Sequence, residues 1–493
     1  MNVPIRRVFG LFAALFALLV VFTSRWAVIE AESLEDNTAN RRPLLEEQRV
    51  PRGLILAADG TRIAVNDRRG SGETVRYVRR YPLGPLFGHP VGYSFVRHGR
   101  AGLERSLNDP LAGRTDELGS IFEELSGRGQ EGDDVRTSLD ADAQREALAA
   151  LGGQKGSVVA IEPKTGQVQV MASAPSFDPA EVPERFRELN RDRDAPLLNR
   201  ATQSRYPPGS TFKVVTAAAA LDTNRFNPGS VLPGPSPKTI SGVPLENFGG
   251  ADFGPITLTE ALTKSVNTVF AQVGAALGRE TLVRYMKRFG FYEDPPVDYP
   301  SGAITPSGVV SGGRLVDAGT GFDVGRVAIG QGGAEGQVLT TPLQMAMVAA
   351  AVANRGELMR PRLVDRVVAP DGRVKDRVSA REQSQVMGAA AADRLTAMMT
   401  AVVESGSGTA AALPSVKVAG KTGTAEVEGG RANQAWFIAF APVGDPRTAI
   451  AVTVERANGT GGEVAAPIAR RVLGALLGVE GKAPSRPPAA GGF

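Results

Sequence analysis

The chain has 493 residues, of which 42% are hydrophobic and 22% are charged, so it is long enough for roughly two or three domains with a large core. The formal charge is only +4, from 56 basic and 52 acidic residues, which argues against a nucleic-acid-binding protein. The absence of cysteine excludes disulfides, thiol catalysis and cysteine metal sites.

The first predicted element is an apolar segment at the N-terminus. Arg6 and Arg7 precede a run from Val8 to Thr23 that is entirely apolar or small, and Trp26 follows as a candidate interface anchor. The run is short for a membrane helix and long for the apolar part of a signal peptide. Because no clear small-x-small cleavage site follows, an uncleaved transmembrane anchor is favoured over a cleaved signal peptide.

The charges that flank this anchor predict its orientation. We assign the anchor to residues 8–27 and a short cytoplasmic tip to residues 1–7. The two arginines on the N-terminal side favour the cytoplasm for that end, which places everything after Arg25 outside the membrane.

Residues 28–150 are predicted to form a first, β-rich module with a modest core. Two apolar runs, 54–56 and 61–65, flank Ala57-Ala58-Asp59-Gly60, which is typical of a hairpin. The alternating run Thr74–Tyr81 predicts another strand. Nothing in this module indicates catalysis.

A second domain is predicted over residues 151–480, after a helix through Gln144 to Leu151 that is led by an acidic N-cap. Two β-rich runs then flank the turn Glu162–Gly166. This turn contains a Lys-Thr-Gly sequence, which turn chemistry alone explains. The Pro- and Ala-rich tail, 481–493, is predicted to be disordered.

The stretch Tyr206–Lys213 holds the strongest chemical signal. Pro207-Pro208-Gly209 predicts a turn and the Ala-rich run after it predicts a buried helix, which places Ser210 at the helix N-terminus and Lys213 one turn later. Side chains three apart share a helix face, so the amine could reach the hydroxyl and act as its base. Taken alone, the motif also fits a helix-capping serine and a solvated lysine.

The histidine count bears on the type of nucleophile. The two histidines, His89 and His98, lie far upstream of Ser210 among Gly, Pro and Tyr, and we interpret both as structural or surface residues. A Ser-His-Asp triad would need one of them to reach across from another region. A lysine-based mechanism is therefore favoured by elimination.

Two further motifs lie downstream of Ser210. A helix interrupted near Ser265 would let Ser265 and Asn267 project polar groups into a cleft, although Ser-x-Asn is a weak signal with another copy at Ser106–Asn108. That copy precedes the nucleophile and lies in the first module, so it is discounted.

A second Lys-Thr-Gly begins at Lys421 and is followed by apolar runs that predict successive strands. Lys421 and the hydroxyls of Thr422 and Thr424 could bind a carboxylate. Gly423 on a strand could let a substrate backbone approach closely. The simpler interpretation is another hairpin turn, as at Lys164.

Ser-x-x-Lys, Ser-x-Asn and Lys-Thr-Gly in this order resemble the active-site signature of penicillin-binding proteins and serine β-lactamases. Arg52-Gly53-Leu54-Ile55 and Gly102-Leu103-Glu104 resemble the pedestal motifs of class B penicillin-binding proteins, and Gly330-Gln331-Gly332 resembles their transpeptidase-domain signature. The chain is most similar to the actinobacterial penicillin-binding protein A type. The interval from Gly332 to Thr341 is longer than is usual in this pattern.

The resemblance implies an α/β (α+β) penicillin-binding transpeptidase fold, an antiparallel sheet flanked by helices, with an N-terminal β-rich pedestal module and one transmembrane helix. It further implies a peptidoglycan D,D-transpeptidase that cross-links stem peptides, is acylated by β-lactams, needs no metal or cofactor, and works beside a membrane-embedded glycosyltransferase. A D,D-carboxypeptidase, a β-lactamase, and a β-lactam sensor or inert cell-wall scaffold would also fit the motifs.

Site roles follow from the resemblance as well. Ser210 would be the acylated nucleophile and Lys213 its base. Ser265 would relay a proton, while Asn267 would hydrogen-bond the peptide and hold Lys213. The third motif would supply the remaining roles: a positive charge from Lys421, carboxylate binding by Thr422 and Thr424, and a backbone N–H of Thr424 that forms an oxyanion hole with that of Ser210.

Overall fold

A computed structural model of the protein describes residues 2–25, 48–114, 131–319, 321–333, 335–427 and 432–479. Three predictions lie wholly or partly outside the described residues: the interface anchor Trp26, the start of the pedestal module at 28–47, and the tail 481–493.

The strands of the described residues are, in chain order, β1 (Ile55–Leu56), β2 (Arg62–Arg69), β3 (Arg76–Arg80), β4 (Ser94–Phe95), β5 (Gly99–Arg100), β6 (Asp134–Thr137), β7 (Gly156–Ile161), β8 (Val168–Ala174), β9 (Val231–Pro233), β10 (Lys238–Ile240), β11 (Val243–Leu245), β12 (Pro255–Thr257), β13 (Gly308–Ser311), β14 (Arg314–Leu315), β15 (Gly332–Gly333), β16 (Gly336–Leu339), β17 (Glu357–Met359), β18 (Val364–Val368), β19 (Val374–Arg377), β20 (Glu382–Gln385), β21 (Ala419–Val427), β22 (Ala432–Ala441) and β23 (Thr448–Ala457).

The α-helices are α1 (Asn2–Ser24), α2 (Gly88–Val91), α3 (Gly102–Ser106), α4 (Asn108–Leu111), α5 (Ala141–Leu151), α6 (Val182–Arg191), α7 (Lys213–Asp222), α8 (Leu258–Thr263), α9 (Asn267–Leu277), α10 (Arg279–Arg288), α11 (Val324–Val327), α12 (Pro342–Ala353), α13 (Ala389–Ser405) and α14 (Ala465–Leu477).

The N-terminal helix α1 is the one helix of the described residues that is long and apolar enough to cross a membrane, over Val3–Ser24. The uninterrupted apolar run explains both properties, since a helix of about 20 apolar residues spans a bilayer core. This helix fits the predicted membrane anchor.

The pedestal is built on a six-stranded sheet in the order β19-β18-β6-β1-β2-β3. Strands β1 and β2 form the predicted hairpin, with Ile55 opposite Ala64, and β3 lies within the predicted run Thr74–Tyr81. Strands β18 and β19 come from far downstream in the chain, and β18 pairs antiparallel with β6. The pedestal and the second domain therefore share one sheet, which local sequence patterns did not predict.

A buried ion network holds the pedestal together. The Glu104 carboxylate is fully buried and accepts hydrogen bonds from Arg52 Nε at 2.7 Å and Arg79 Nε at 2.5 Å. Burial opposes its ionisation, but the two guanidinium groups outweigh burial and lower the pKa of Glu104. Arg52 and Glu104 belong to the two pedestal motifs recognised in the sequence, which this pair connects.

The two histidines lie where the pedestal meets the catalytic domain. His89 is buried, with Nε2 2.8 Å from Pro196 O, and burial lowers its pKa to about 4. The His98 ring is stacked on Phe186 with a centroid distance of 4.7 Å. Both histidines are packing residues, as the sequence predicted.

The catalytic domain is built on a five-stranded antiparallel sheet in the order β21-β22-β23-β7-β8. Because strand side chains alternate between faces, each strand contributes side chains to two hydrophobic cores. Val158 and Phe437 face a core with α5 and α14, whereas Val159 and Trp436 face a core that contains α7 and α12. Helices on both faces of an antiparallel sheet confirm the predicted fold class.

The helices that position the site are unusually apolar. Every residue of α12 is buried, as are the first nine residues of α7, from Lys213 to Leu221. Small Ala side chains let α7 pack closely against α9, α10 and α13. Lys213, the first residue of α7, is therefore buried because the helix has no solvent-exposed polar face.

Candidate active site

The nucleophile turn precedes helix α7. Ser210 lies in one turn of 3₁₀ helix, Gly209–Phe212, and α7 begins at Lys213. The predicted order of turn and buried helix is confirmed, although Ser210 precedes the α-helix and does not begin it. Ser210 is half-buried, whereas Lys213 is fully buried.

The backbone of this turn is held by distant segments. Trp436 Nε1 on β22 donates a hydrogen bond of 2.9 Å to Pro207 O. Gly209 N donates to Gly330 O at 3.0 Å. Gly209 has φ +52, and a Cβ there would lie 2.7 Å from a backbone oxygen of β21, so only glycine fits at this crossing.

The Lys213 amine is buried among oxygen acceptors. Its Nζ lies 2.7 Å from Ser265 O, 2.7 Å from Asn267 Oδ1 and 3.3 Å from Ser265 Oγ. Burial, and after it the positive charge of Lys421, lowers the pKa of Lys213 well below its usual range. A neutral amine at this position is the form that can take up a proton.

Ser265 lies at the predicted helix break, between the end of α8 and the start of α9. Its φ is +60, which is uncommon for a residue with a side chain and costs about 1–3 kcal/mol. In this conformation both its carbonyl oxygen and its hydroxyl lie within reach of Lys213. Strained backbone of this kind is concentrated at functional sites.

Lys421 on β21 is the second buried amine. Its Nζ donates to Ser265 Oγ at 2.9 Å and to Thr422 O at 3.0 Å. Burial lowers the pKa of Lys421 to about 7. Three motifs that are far apart in sequence therefore meet around the hydroxyl of Ser265.

The hydroxyls of Thr422 and Thr424 are both hydrogen-bonded to neighbouring loops. Thr422 Oγ1 lies 2.6 Å from Ser407 Oγ, and Thr424 Oγ1 accepts from Gly461 N at 3.1 Å. Thr422 is buried and Thr424 is partly buried. Both hydroxyls are thus held in place by neighbouring loops.

The hydrogen bonding of Ser210 and the packing of Gly423 were not anticipated from the sequence. Within the described part of the chain Ser210 Oγ forms no hydrogen bond, and the Lys213 amine donates to Ser265 and Asn267. A Cβ on Gly423 would lie 2.7 Å from Pro208 O, so this glycine is required by the close approach of the nucleophile turn. The approach of a substrate backbone to Gly423 stays a prediction.

The second copies of the motifs lie away from these residues. Lys164 is in the turn between β7 and β8 and forms an exposed ion pair with Asp445 at 2.6 Å. In the pedestal, Ser106 Oγ donates to Asp298 O and Asn108 Oδ1 accepts from Arg52. Lys421 and Asn267, by contrast, contact Ser265 and Lys213.

Sequence reasoning missed several residues that support the site. Glu455 Oε1 accepts from Tyr206 OH at 2.6 Å and from Arg200 Nε at 2.8 Å, next to the nucleophile turn. Ser407 and Trp436 lie outside the three motifs, and the sequence assigned neither of them a role at the site. Tyr206 adjoins the first motif, so its position near the site could have been inferred from the sequence. No local pattern indicated its hydrogen bond to Glu455.

A half-buried serine three residues before a buried lysine, with a second buried lysine connected through Ser265, suits a serine acyltransferase. Two family profiles match the chain: the penicillin binding protein transpeptidase domain over residues 156–474, and the penicillin binding protein A dimerisation domain over residues 52–135.

Similar proteins span almost the whole chain. The peptidoglycan D,D-transpeptidase PbpA of Mycolicibacterium smegmatis is 36% identical, covering 97% of this chain and 99% of the relative, and PbpA of Mycobacterium tuberculosis is 34% identical with the same coverage. The structure of the ceftriaxone acyl-enzyme of M. tuberculosis penicillin-binding protein A superposes with a TM-score of 0.78 at 33% identity, covering 88% of this chain and 100% of that one. The D,D-transpeptidase domain of a peptidoglycan glycosyltransferase from Eggerthella lenta gives 0.77 at 34% identity, covering 88% and 99%.

The chain therefore belongs to the penicillin-binding protein transpeptidase family, with a pedestal of the penicillin-binding protein A type.

Proposed function

We propose that this chain is a membrane-anchored peptidoglycan D,D-transpeptidase that cross-links stem peptides through an acyl-enzyme on Ser210, and that β-lactams acylate the same serine. The observation that carries the proposal is the buried Lys213 amine, hydrogen-bonded to Ser265 and Asn267 at the start of the helix that follows Ser210. Its lowered pKa suits a general base.

In the first step, Ser210 Oγ attacks the carbonyl carbon of the D-Ala–D-Ala peptide bond and its proton passes to Lys213. The backbone N–H groups of Ser210 and Thr424 bind the oxyanion. Ser265, which lies between the two lysines, relays a proton to the leaving nitrogen. The C–N bond then breaks, D-Ala departs and an ester to Ser210 remains.

In the second step, an amine of another stem peptide attacks the ester carbonyl, and Ser210 leaves with its proton restored. Before D-Ala leaves in the first step, Thr422 and Thr424 bind its terminal carboxylate, and Lys421 keeps this region positive. Asn267 contacts the peptide backbone while holding Lys213. Gly423 contributes by admitting the nucleophile turn against β21. The scheme requires no metal or cofactor.

Labelling with a fluorescent penicillin tests the acyl-enzyme. A soluble chain that begins at Ser33 should give a stable covalent band that Ser210→Ala abolishes. Ser405→Ala, which removes a serine hydroxyl bonded to its own helix, is the matched control and should label like the parent. A folded parent that gives no band would contradict the mechanism and favour an inert scaffold.

Turnover of a peptide substrate distinguishes a transpeptidase from a D,D-carboxypeptidase, a β-lactamase and a β-lactam sensor. With a donor peptide and an acceptor amine, a transpeptidase forms the cross-linked product, whereas a D,D-carboxypeptidase releases D-Ala and forms only the hydrolysed donor. Rapid loss of the penicillin label would indicate a β-lactamase. A labelled protein without peptide turnover would be a sensor.

We propose the membrane topology and domain plan together. Arg6 and Arg7 favour a cytoplasmic N-terminus, with residues 28–150 as pedestal and 151–480 as catalytic domain outside the membrane. Two full-length fusions would test the orientation: one with a reporter on the N-terminal side of the anchor, next to residues 1–7, and one with a reporter after residue 480. An extracytoplasmic signal from the first fusion would contradict it.

A membrane-embedded glycosyltransferase is the proposed partner, contacted through α1 and the pedestal. The transpeptidase needs newly polymerised glycan strands, and no glycan-polymerising domain was identified in the sequence. Co-purification of such an enzyme that survives deletion of the residues before Glu32 and of the pedestal would count against this contact.

A further inference from the structure

Ser407 lies in the loop that follows α13 and is an exposed residue at the edge of the candidate site. Its Oγ lies 2.6 Å from Thr422 Oγ1, so either hydroxyl can be the donor. Its backbone N–H donates to Thr263 O at 3.3 Å, which ties the loop to the end of α8, next to Ser265. The glycine before it allows this approach, since a Cβ on Gly406 would lie 2.5 Å from the same Thr263 oxygen.

The direction of this hydrogen bond matters for an anion. A hydroxyl has one hydrogen to donate and can accept two hydrogen bonds. Thr424 Oγ1 already accepts from the N–H of Gly461, which leaves the Thr424 hydrogen for another acceptor. Thr422 Oγ1 accepts from Lys421 Nζ at 3.4 Å. Its own hydrogen is left for another acceptor only if Ser407 is the donor in the 2.6 Å contact.

We propose that Ser407 is a positioning residue that donates to Thr422 Oγ1 and so turns the hydrogen of Thr422 toward the substrate carboxylate. The proposal rests on the proposed function, because it deepens the carboxylate-binding role of Thr422. Hydrogen bonds to an ionised acceptor are stronger than neutral ones, so a bound carboxylate selects this direction. The donor behind Thr422 then polarises the hydroxyl and strengthens its bond to the anion.

The test compares benzylpenicillin with its methyl ester, which lacks the carboxylate. Ser407→Ala in the soluble chain should raise the dissociation constant of the acid about fivefold, the size expected for one hydrogen bond. The dissociation constant of the ester should be unchanged. The acylation rate constants of both compounds should also be unchanged. Ser407→Thr should restore parent-like binding of the acid. Ser405→Ala, at the end of α13, should leave the dissociation constants of both compounds unchanged.

A second background tests the route of the effect. With Thr422→Val, the Ser407→Ala change should no longer weaken binding of the acid, because Ser407 acts through the Thr422 hydroxyl. A persisting fivefold effect would mean that Ser407 touches the carboxylate itself and would overturn the positioning role. Equal losses for acid and ester, or no loss for either, would also overturn it. A parent that fails to acylate at all would instead contradict the proposed function.

Discussion

Lys421 Nζ lies 2.9 Å from Ser265 Oγ. The same hydroxyl is 3.3 Å from Lys213 Nζ, so one side chain connects the two buried amines. A proton on Lys421 disfavours a proton on Lys213, since two like charges in a buried site repel. The proton content of this pair should therefore control acylation.

Acylation should have a bell-shaped pH profile whose alkaline limb lies near pH 7. Below this pH Lys421 carries its proton, and above it the charge is lost, because burial lowers the pKa of Lys421 to about 7. On the acid side the rate should fall as Lys213 becomes protonated. The second-order rate constant of penicillin acylation, measured from pH 5 to pH 10, checks this.

A matched control is available in the other Lys-Thr-Gly copy. Lys164→Met alters an exposed lysine in a turn and should leave the profile unchanged. Lys421→Arg keeps its charge throughout this range and should remove the alkaline limb. A parent profile that stays flat up to pH 9 would contradict the assignment to Lys421.

Asn267→Asp should slow acylation at neutral pH by about tenfold or more. The substitution places a carboxylate 2.7 Å from Lys213 Nζ, and an opposite charge at that distance raises the pKa of a lysine by about 1–3 units. The acid limb of the profile should move to higher pH. Asn108→Asp, in the discounted Ser-x-Asn copy, should leave the profile in place, and an unshifted limb in Asn267→Asp would exclude Lys213 as the base.

Trp436→Phe should slow acylation about tenfold, because a small displacement of a catalytic group is costly. The variant keeps the packing against Tyr206 but removes the 2.9 Å hydrogen bond to Pro207 O. The acylation rate constant should fall while the dissociation constant of penicillin stays the same. A change confined to the melting temperature would show that Trp436 only fills space.

Glu104→Gln should lower the free energy of unfolding by about 3–5 kcal/mol, since it removes the charge of a carboxylate that pairs with two buried guanidinium groups. Chemical denaturation of the soluble chain measures this loss. Glu188→Gln, which breaks an exposed pair with Arg185, should leave the unfolding midpoint in place. The acylation rate of the folded Glu104→Gln protein should match the parent, and an unchanged midpoint would contradict the role of the network.

The residues of the candidate site were predictable where a local pattern encodes them. Pro-Pro-Gly before an Ala-rich run predicted the turn at Ser210 and the buried start of α7, and turn chemistry separated the copy at Lys164 from Lys421. The hydrogen bonds of Lys213 were not predictable, because they depend on the left-handed backbone of Ser265 and on a helix that begins at Asn267. No spacing rule gives the direction of a hydroxyl.

The sequence by itself determined the anchor, the hairpin around Ala57–Gly60, the helix before β7 and the final strands, because turn chemistry and periodicity act within a few residues. Only the tertiary structure decided that β18 and β19 complete the pedestal sheet and that Ser407 lies against Thr422. These contacts join segments far apart in the chain. They follow from how whole sheets and helices bury their apolar faces, which no local pattern records.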